Sequence, residues 1–150
     1  NEEVMANWET LRFLAAHAVA KGAGGVFFRL PVETGGRDLL DYPEECQALL
    51  RVVSELMAMQ PLLEGGTIVA APFAVPDGLV VRAWSYRGRR YVLLVNSSST
   101  DAALDVKSLA PWRALFEARS DARELLMPCG EKLCLPPRRA LWLEGRLHLF

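Results

Sequence analysis

The sequence predicts an α+β fold, a helix–strand–helix segment over residues 1–63 followed by an antiparallel β-sandwich of about eight strands over residues 64–150. Three observations predict it. Before Gly65-Gly66 the apolar residues recur at helical spacings; after it, short apolar runs alternate with turn signals. Charge divides at the same place: residues 1–63 carry nine acidic and five basic side chains, residues 64–150 nine acidic and twelve basic. The composition, 51% hydrophobic and 23% charged over 150 residues, suits a chain with a core and argues against disorder.

The first helix covers residues 3–21. Val4, Trp8, Leu11, Ala15 and Ala18 draw one apolar stripe, and Gly22 fits the residue after the helix end, where positive φ is needed. Phe13 lies off the stripe, so a second surface is expected to cover this helix; His17 is expected to face solvent. Gly24 to Leu30 is a short apolar run without alternation, the pattern of a strand buried on both faces. Pro31 ends it, and residues 31–42 form a loop. The second helix is expected over residues 43–59, with Asp41 as N-cap, Pro43 in the first turn and Glu44 at capping-box spacing. Its buried face is expected to be Cys46, Leu49, Leu50, Val53, Leu56 and Met57, with Pro61 as the stop. Glu44 and Glu45 suit the positive end of the helix dipole. A lone strand between two helices cannot satisfy its own backbone donors and acceptors, so this segment implies a partner sheet or a larger unit.

Strands are then expected at 67–74, 79–86, 90–96, 102–107, 113–118, 123–127, 132–135 and 139–149. Pro76-Asp77-Gly78, Arg87-Gly88-Arg89, Asn96 to Asp101, Gly130-Glu131 and Pro136-Pro137 separate them. In strand 79–86, Val80, Arg82, Trp84 and Tyr86 share one face. Tyr91 to Val95 is apolar throughout, which predicts a central strand.

Few residues offer chemistry. Seventeen basic and eighteen acidic side chains leave a net charge of −1, against a dedicated nucleic-acid or anionic-membrane protein. No apolar run approaches the ~20 residues that span a bilayer. Asn1-Glu2-Glu3-Val4-Met5 does not resemble a signal peptide, and the absence of an initiator Met reads as a trimmed chain. The three cysteines are an odd number; Cys46 reads as a small buried hydrophobe, and Cys129 and Cys134 either bridge across a hairpin or stay as two unpaired thiols. With His17 and His148 far apart and no CxxC spacing, no metal and no cofactor are expected. Lys21-Gly22-Ala23-Gly24-Gly25 runs from helix to strand, the reverse of a phosphate loop, and reads as a helix stop. Asn96-Ser97-Ser98 matches a glycosylation pattern and equally a plain turn. No Ser–His–Asp set and no recognisable pair of catalytic carboxylates can be assembled, so no catalytic residue is assigned.

Two constellations remain. Arg29 sits inside an apolar strand, and Glu33 follows at its C-terminal end, where parallel α/β folds place functional groups. They are the candidate substrate-binding residues, with a structural ion pair as the alternative. Trp84, Tyr86 and Tyr91 form a candidate sugar-stacking face, and with Arg87, Arg89 and Arg90 they could instead contact nucleic acid or simply make a basic hairpin tip.

Taken in order, these stretches resemble the end of a (β/α)8-barrel glycoside hydrolase. "LRFLAAHAVAKGAGGVFFRL" resembles the last helix-then-strand step of such a barrel, and "CQALLRVVSELMAMQPLLEGG" its final helix. "GLVVRAWSYRGRRYVLLVNSSSTDAALDV" is similar to the opening of the β-sandwich that commonly follows, and "GEKLCLPPRRALWL" to its closing strands. The resemblance implies that the acid/base and nucleophile carboxylates belong to earlier barrel strands and that this chain alone is inert. It carries over only Arg29 and Glu33, as substrate contacts at the end of the last barrel strand. The expected role is a non-catalytic accessory portion of a carbohydrate-acting enzyme; the alternatives are a carbohydrate- or partner-binding module and, less favoured, a nucleic-acid-binding module. The expected partners are the remainder of a larger polypeptide or a second copy, with carbohydrate as the ligand and no membrane.

Overall fold

The computed structural model describes residues 2–28, 41–109, 111–117 and 121–146, with side chains from residue 8 onward. Helices come first and antiparallel sheets follow. Helix α1 spans Glu2–Ala20 and α2 spans Pro43–Gly65. The strands are β1 (Thr67–Val69), β2 (Leu79–Tyr86), β3 (Arg89–Asn96), β4 (Ala102–Leu104), β5 (Arg113–Ala114), β6 (Met127–Cys129), β7 (Lys132–Leu135) and β8 (Arg139–Arg146). Two single-turn helices, α3 (Val106–Leu109) and α4 (Ala122–Leu125), lie between them.

The strands form a five-stranded sheet ordered β1-β2-β3-β8-β5 and a three-stranded sheet ordered β4-β7-β6. Period-two alternation splits the large sheet into two working faces. Ala83, Val92, Leu94, Leu141 and Leu143 turn inward onto Ala102, Leu104 and Leu135 of the small sheet. Trp84, Leu93, Val95, Ala140 and Trp142 turn outward and meet Phe13, Ala16 and Val19 of α1 with Met59 and Leu62 of α2. The molecule is therefore three layers, helices over large sheet over small sheet. β3 occupies the middle strand, and Val92 to Val95 have no solvent exposure, which is why its sequence shows no alternation.

Local chemistry explains the turns. Arg87 and Gly88 both have positive φ, 48° and 74°, the signature of a tight two-residue hairpin turn between β2 and β3. Gly22 ends α1 with φ 94°, and the Ala23 amide reaches back to the Ala18 carbonyl at 2.9 Å. Asn96 closes β3. Its amide nitrogen donates to the Leu135 carbonyl at 2.8 Å and to the Thr100 carbonyl at 2.9 Å, and its oxygen accepts from the Ser98 amide at 3.0 Å. A fully buried Asn thus ties the large sheet to β7 of the small one.

Several expected elements differ. Residues 24–28 form no strand; the remainder of that run, to Leu30, lies outside the described residues. Helix α2 continues through Pro61 to Gly65 instead of stopping at Met59. Proline deprives only the Met57 carbonyl, which sits on an exposed turn, while Leu62 beyond it is buried and holds the helix down. The N-cap is Tyr42, without a side-chain cap, in place of Asp41; Pro43 does take the first position. The stretch expected as strand 123–127 is α4 followed by β6, because Asp121 accepts from the Arg123 amide at 2.9 Å and starts a helical turn. Likewise Asp105 accepts from the Lys107 amide at 2.9 Å, and the strand expected to 107 ends at Leu104.

Candidate functional site

Among the described residues lie a sizeable open groove and a smaller cavity. The groove, about 560 Å³, lies between the C-terminal half of α2, the segment Gly22 to Phe28 and the start of the large sheet; Leu56, Met57, Ile68, Arg82 and Trp84 reach it. Its walls follow from the pattern of α2. The expected stripe of Leu50, Val53 and Met57 is not the buried one: Leu50 is 59% and Met57 66% exposed, while Ala48, Val52, Glu55, Met59 and Leu62 face the interior. The helix carries two apolar faces, and the one bearing Ala48, Val52, Met59 and Leu62 packs against α1 and the sheet. Val26 and Phe28 alternate with Phe27: the first two are half-buried against Trp8, Ala15, Ala48 and Val52, whereas Phe27 is 98% exposed. The segment expected to need cover on both faces has it on one.

The small cavity, about 190 Å³, is lined in part by Glu9, Arg12, Glu117 and Arg139. Arg12 is buried and donates to Glu55 at 2.9 Å and to Glu117 at 2.6 Å, joining α1, α2 and the loop after β5. Burial pushes the Glu55 carboxyl up from its ordinary value of 4.5, against the pull of Arg12. Two carboxylates on one guanidinium suggest acid/base chemistry, but Glu55 does not line the cavity, so the arrangement is a brace between elements. Trp8 Nε1, Arg12 Nη2 and Glu55 Oε1 have no hydrogen-bond partner among the described residues. The guanidinium of Arg51 lies 3.4 Å from the Trp8 ring centre and covers its face.

The candidate residues are dispersed. Arg29 and Glu33 lie outside the described residues. Trp84 is a core residue, 3% exposed, stacked on Trp142 with ring centres 5.5 Å apart, so it cannot offer a ring face to a sugar. It is buried because α1 and α2 cover the outer face of the sheet, which strand alternation alone does not reveal. Tyr86 and Tyr91 are half-buried near the end of the same face. Tyr91 pairs across the sheet with Glu144, and Glu144 with Arg113. Glu144 accepts from both Arg89 and Arg113. Burial alone would raise the Glu144 carboxyl, but the two guanidiniums outweigh it and hold the carboxyl below its ordinary range. Arg90 falls on the opposite face, against Gly145. Arg113 and Glu144 were not singled out in the sequence, because only strand register brings them beside Arg89.

Cys46, Cys129 and Cys134 are free thiols. The hairpin turn is shorter than the four residues needed to face Cys129 with Cys134; Cys129 pairs with Lys132, and Cys134 with Met127. Burial and the neighbouring Cys129 push the Cys134 thiol up to about 11. His17 is half-buried and stacks on Phe13 at 5.7 Å. Among the described residues no cluster could hold a metal ion, and no helix is long and apolar enough to cross a membrane.

No family model and no curated protein matches the sequence. Among solved structures the chain is similar in fold to Amy13B of Eubacterium rectale, with a TM-score of 0.51 and 20% sequence identity over 83% of this chain. The match covers 24% of that protein, so this chain spans about a quarter of its length.

Proposed function

We propose that this chain is a non-catalytic portion of a carbohydrate-acting glycoside hydrolase, with α1 and α2 as outer helices of a (β/α)8 barrel and the sandwich as the accessory unit that braces them. One observation carries the reading: among the described residues, large apolar side chains on the helical layer stay exposed on the side away from the sheet. Phe27 at 98% exposure, with Leu50 and Met57 on α2, is what remains when the strands of a barrel are not there to cover it. The sheet side of the same helices is closed. The fold likeness to Amy13B supports the reading, and the match to only a quarter of that protein supports a portion over a whole enzyme. In this reading Arg29 and Glu33 stand at the mouth of the barrel and contact substrate. No described residue takes a catalytic role.

The test is direct. The purified chain, incubated with starch and with aryl glycosides, is expected to show no hydrolysis. Turnover that disappears in Glu33→Ala would overturn the proposal. The coding sequence upstream of Asn1 gives an independent check: βα units with paired carboxylates at strand ends are expected there.

A further inference from the structure

Past the end of the helical cover, the outer face of the large sheet turns basic. Register places Tyr91 beside Glu144, and Glu144 beside Arg113, in one row. In the next row Arg89 stands directly opposite Arg146. Alternation puts these residues on one face, since Arg89 and Arg146 each lie two positions from a member of the first row. Arg87 joins them from the turn, its guanidinium 5.2 Å from the ring centre of Tyr86. Two guanidiniums thus hold the Glu144 carboxylate, with Arg146 in the row beyond and Arg87 on the adjoining turn. Glu144 is committed to Arg89 and Arg113, whose side chains still remain 46% and 58% exposed. Arg146 has no carboxylate partner among the described residues.

Glu144 answers Arg89 and Arg113 but not Arg146, which stands opposite Arg89. Like charges directly opposite on neighbouring strands destabilise a sheet, and nothing in the packing of an exposed strand end requires two arginines there. An anion laid across the strands relieves the repulsion, and guanidinium forks match planar oxyanions in two-point contacts. We infer that this strand-end patch binds an anionic polysaccharide, a chain of uronate or sulfated sugar units, with Arg87, Arg89, Arg113 and Arg146 pairing with its charged groups. The choice of a sugar polymer rests on the proposed carbohydrate-enzyme reading. Nucleic acid fits less well, because this face offers bases no exposed stacking platform: Trp84 is buried and Tyr86 and Tyr91 are half-buried. The surface is open and spans three strands, which suits an extended polymer.

Affinity gel electrophoresis of the purified chain tests it, with polygalacturonate, neutral amylopectin and a single-stranded oligonucleotide as probes. Polygalacturonate is expected to retard the chain at low salt and to lose most of that effect at high salt. The double variant Arg87→Gln, Arg146→Gln is expected to bind about tenfold more weakly or worse, with an unchanged circular dichroism spectrum. Neither side chain is in a salt bridge among the described residues, and the spectrum checks that the fold is kept. Absent retardation, equal retardation of the double variant, equal retardation by amylopectin, or tighter binding of the oligonucleotide would each overturn the inference. These failures are distinct from failure of the accessory reading, which only hydrolysis by the isolated chain or an upstream region without a barrel would overturn.

Discussion

The helical layer and the sandwich bury their apolar residues in different ways. In the sandwich both inner faces meet each other: Val92, Leu94 and Leu143 have no exposure, and the large sheet is covered on its outer side as well. In the helical layer one side packs on that sheet while the other leaves Phe27, Leu50 and Met57 in water. The sandwich is held by close packing, the helices by one apolar face and a charged brace. Amphipathic pattern alone does not reveal this asymmetry, because α2 carries apolar residues on both faces.

The sharpest way to break the comparison is to remove the brace. Arg12→Ala leaves Glu55 buried without its charge partner and is expected to cost about 3–5 kcal/mol, read as a lowered midpoint in urea. Loss below about 1 kcal/mol would mean that the helices are held by packing alone. On the other side, Leu143→Ala opens a cavity between the sheets and is expected to cost about 2–5 kcal/mol. Asn96→Ala strands the Leu135 and Thr100 carbonyls and is expected to cost about 1–3 kcal/mol, measured the same way.

Acid should separate the two regions more gently. Glu55 in the helical brace has a raised carboxyl, so its contribution to stability increases as pH falls from neutral toward 4.5. Glu144 in the sheet has a lowered one, so its contribution is present above 4.5 and is lost as pH falls below it. Glu55→Gln is therefore expected to steepen the loss of stability on acidification, and Glu144→Gln to flatten it, in melting curves taken from pH 7 downward. The smallest effect is expected at the open surface. Met57→Ser and Phe27→Ser should stay within about 0.5 kcal/mol of the parent chain. A larger loss would show that these side chains are already covered, and would remove the main support for a missing barrel.

Much of the fold was legible. Tyr91 to Val95 lacks alternation because both sides of β3 are buried, and the central strand follows from that. Gly22 marks the end of α1 because a side chain there would be strained at φ 94°. Short-range competition hid other elements. Asp105 and Asp121 cap single helical turns inside stretches whose composition suits strands, and Pro61 sits in a helix that tertiary burial carries four residues further. At the candidate sites less was legible. Trp84 looked available because alternation gives the face of a residue and not what covers that face. Arg113 and Glu144 are 31 positions apart and meet only through register.

The sequence by itself determined the order of helices and antiparallel strands and the central strand. These depend on periodicity and composition, which act over a few residues. The tertiary structure alone decided which of the two apolar faces of α2 is covered, the burial of Trp84 under the helices, and the pairing of Arg89 and Arg113 with Glu144. Each of those depends on which surfaces meet across the three layers, and a one-dimensional pattern carries the wish to be buried without naming the partner.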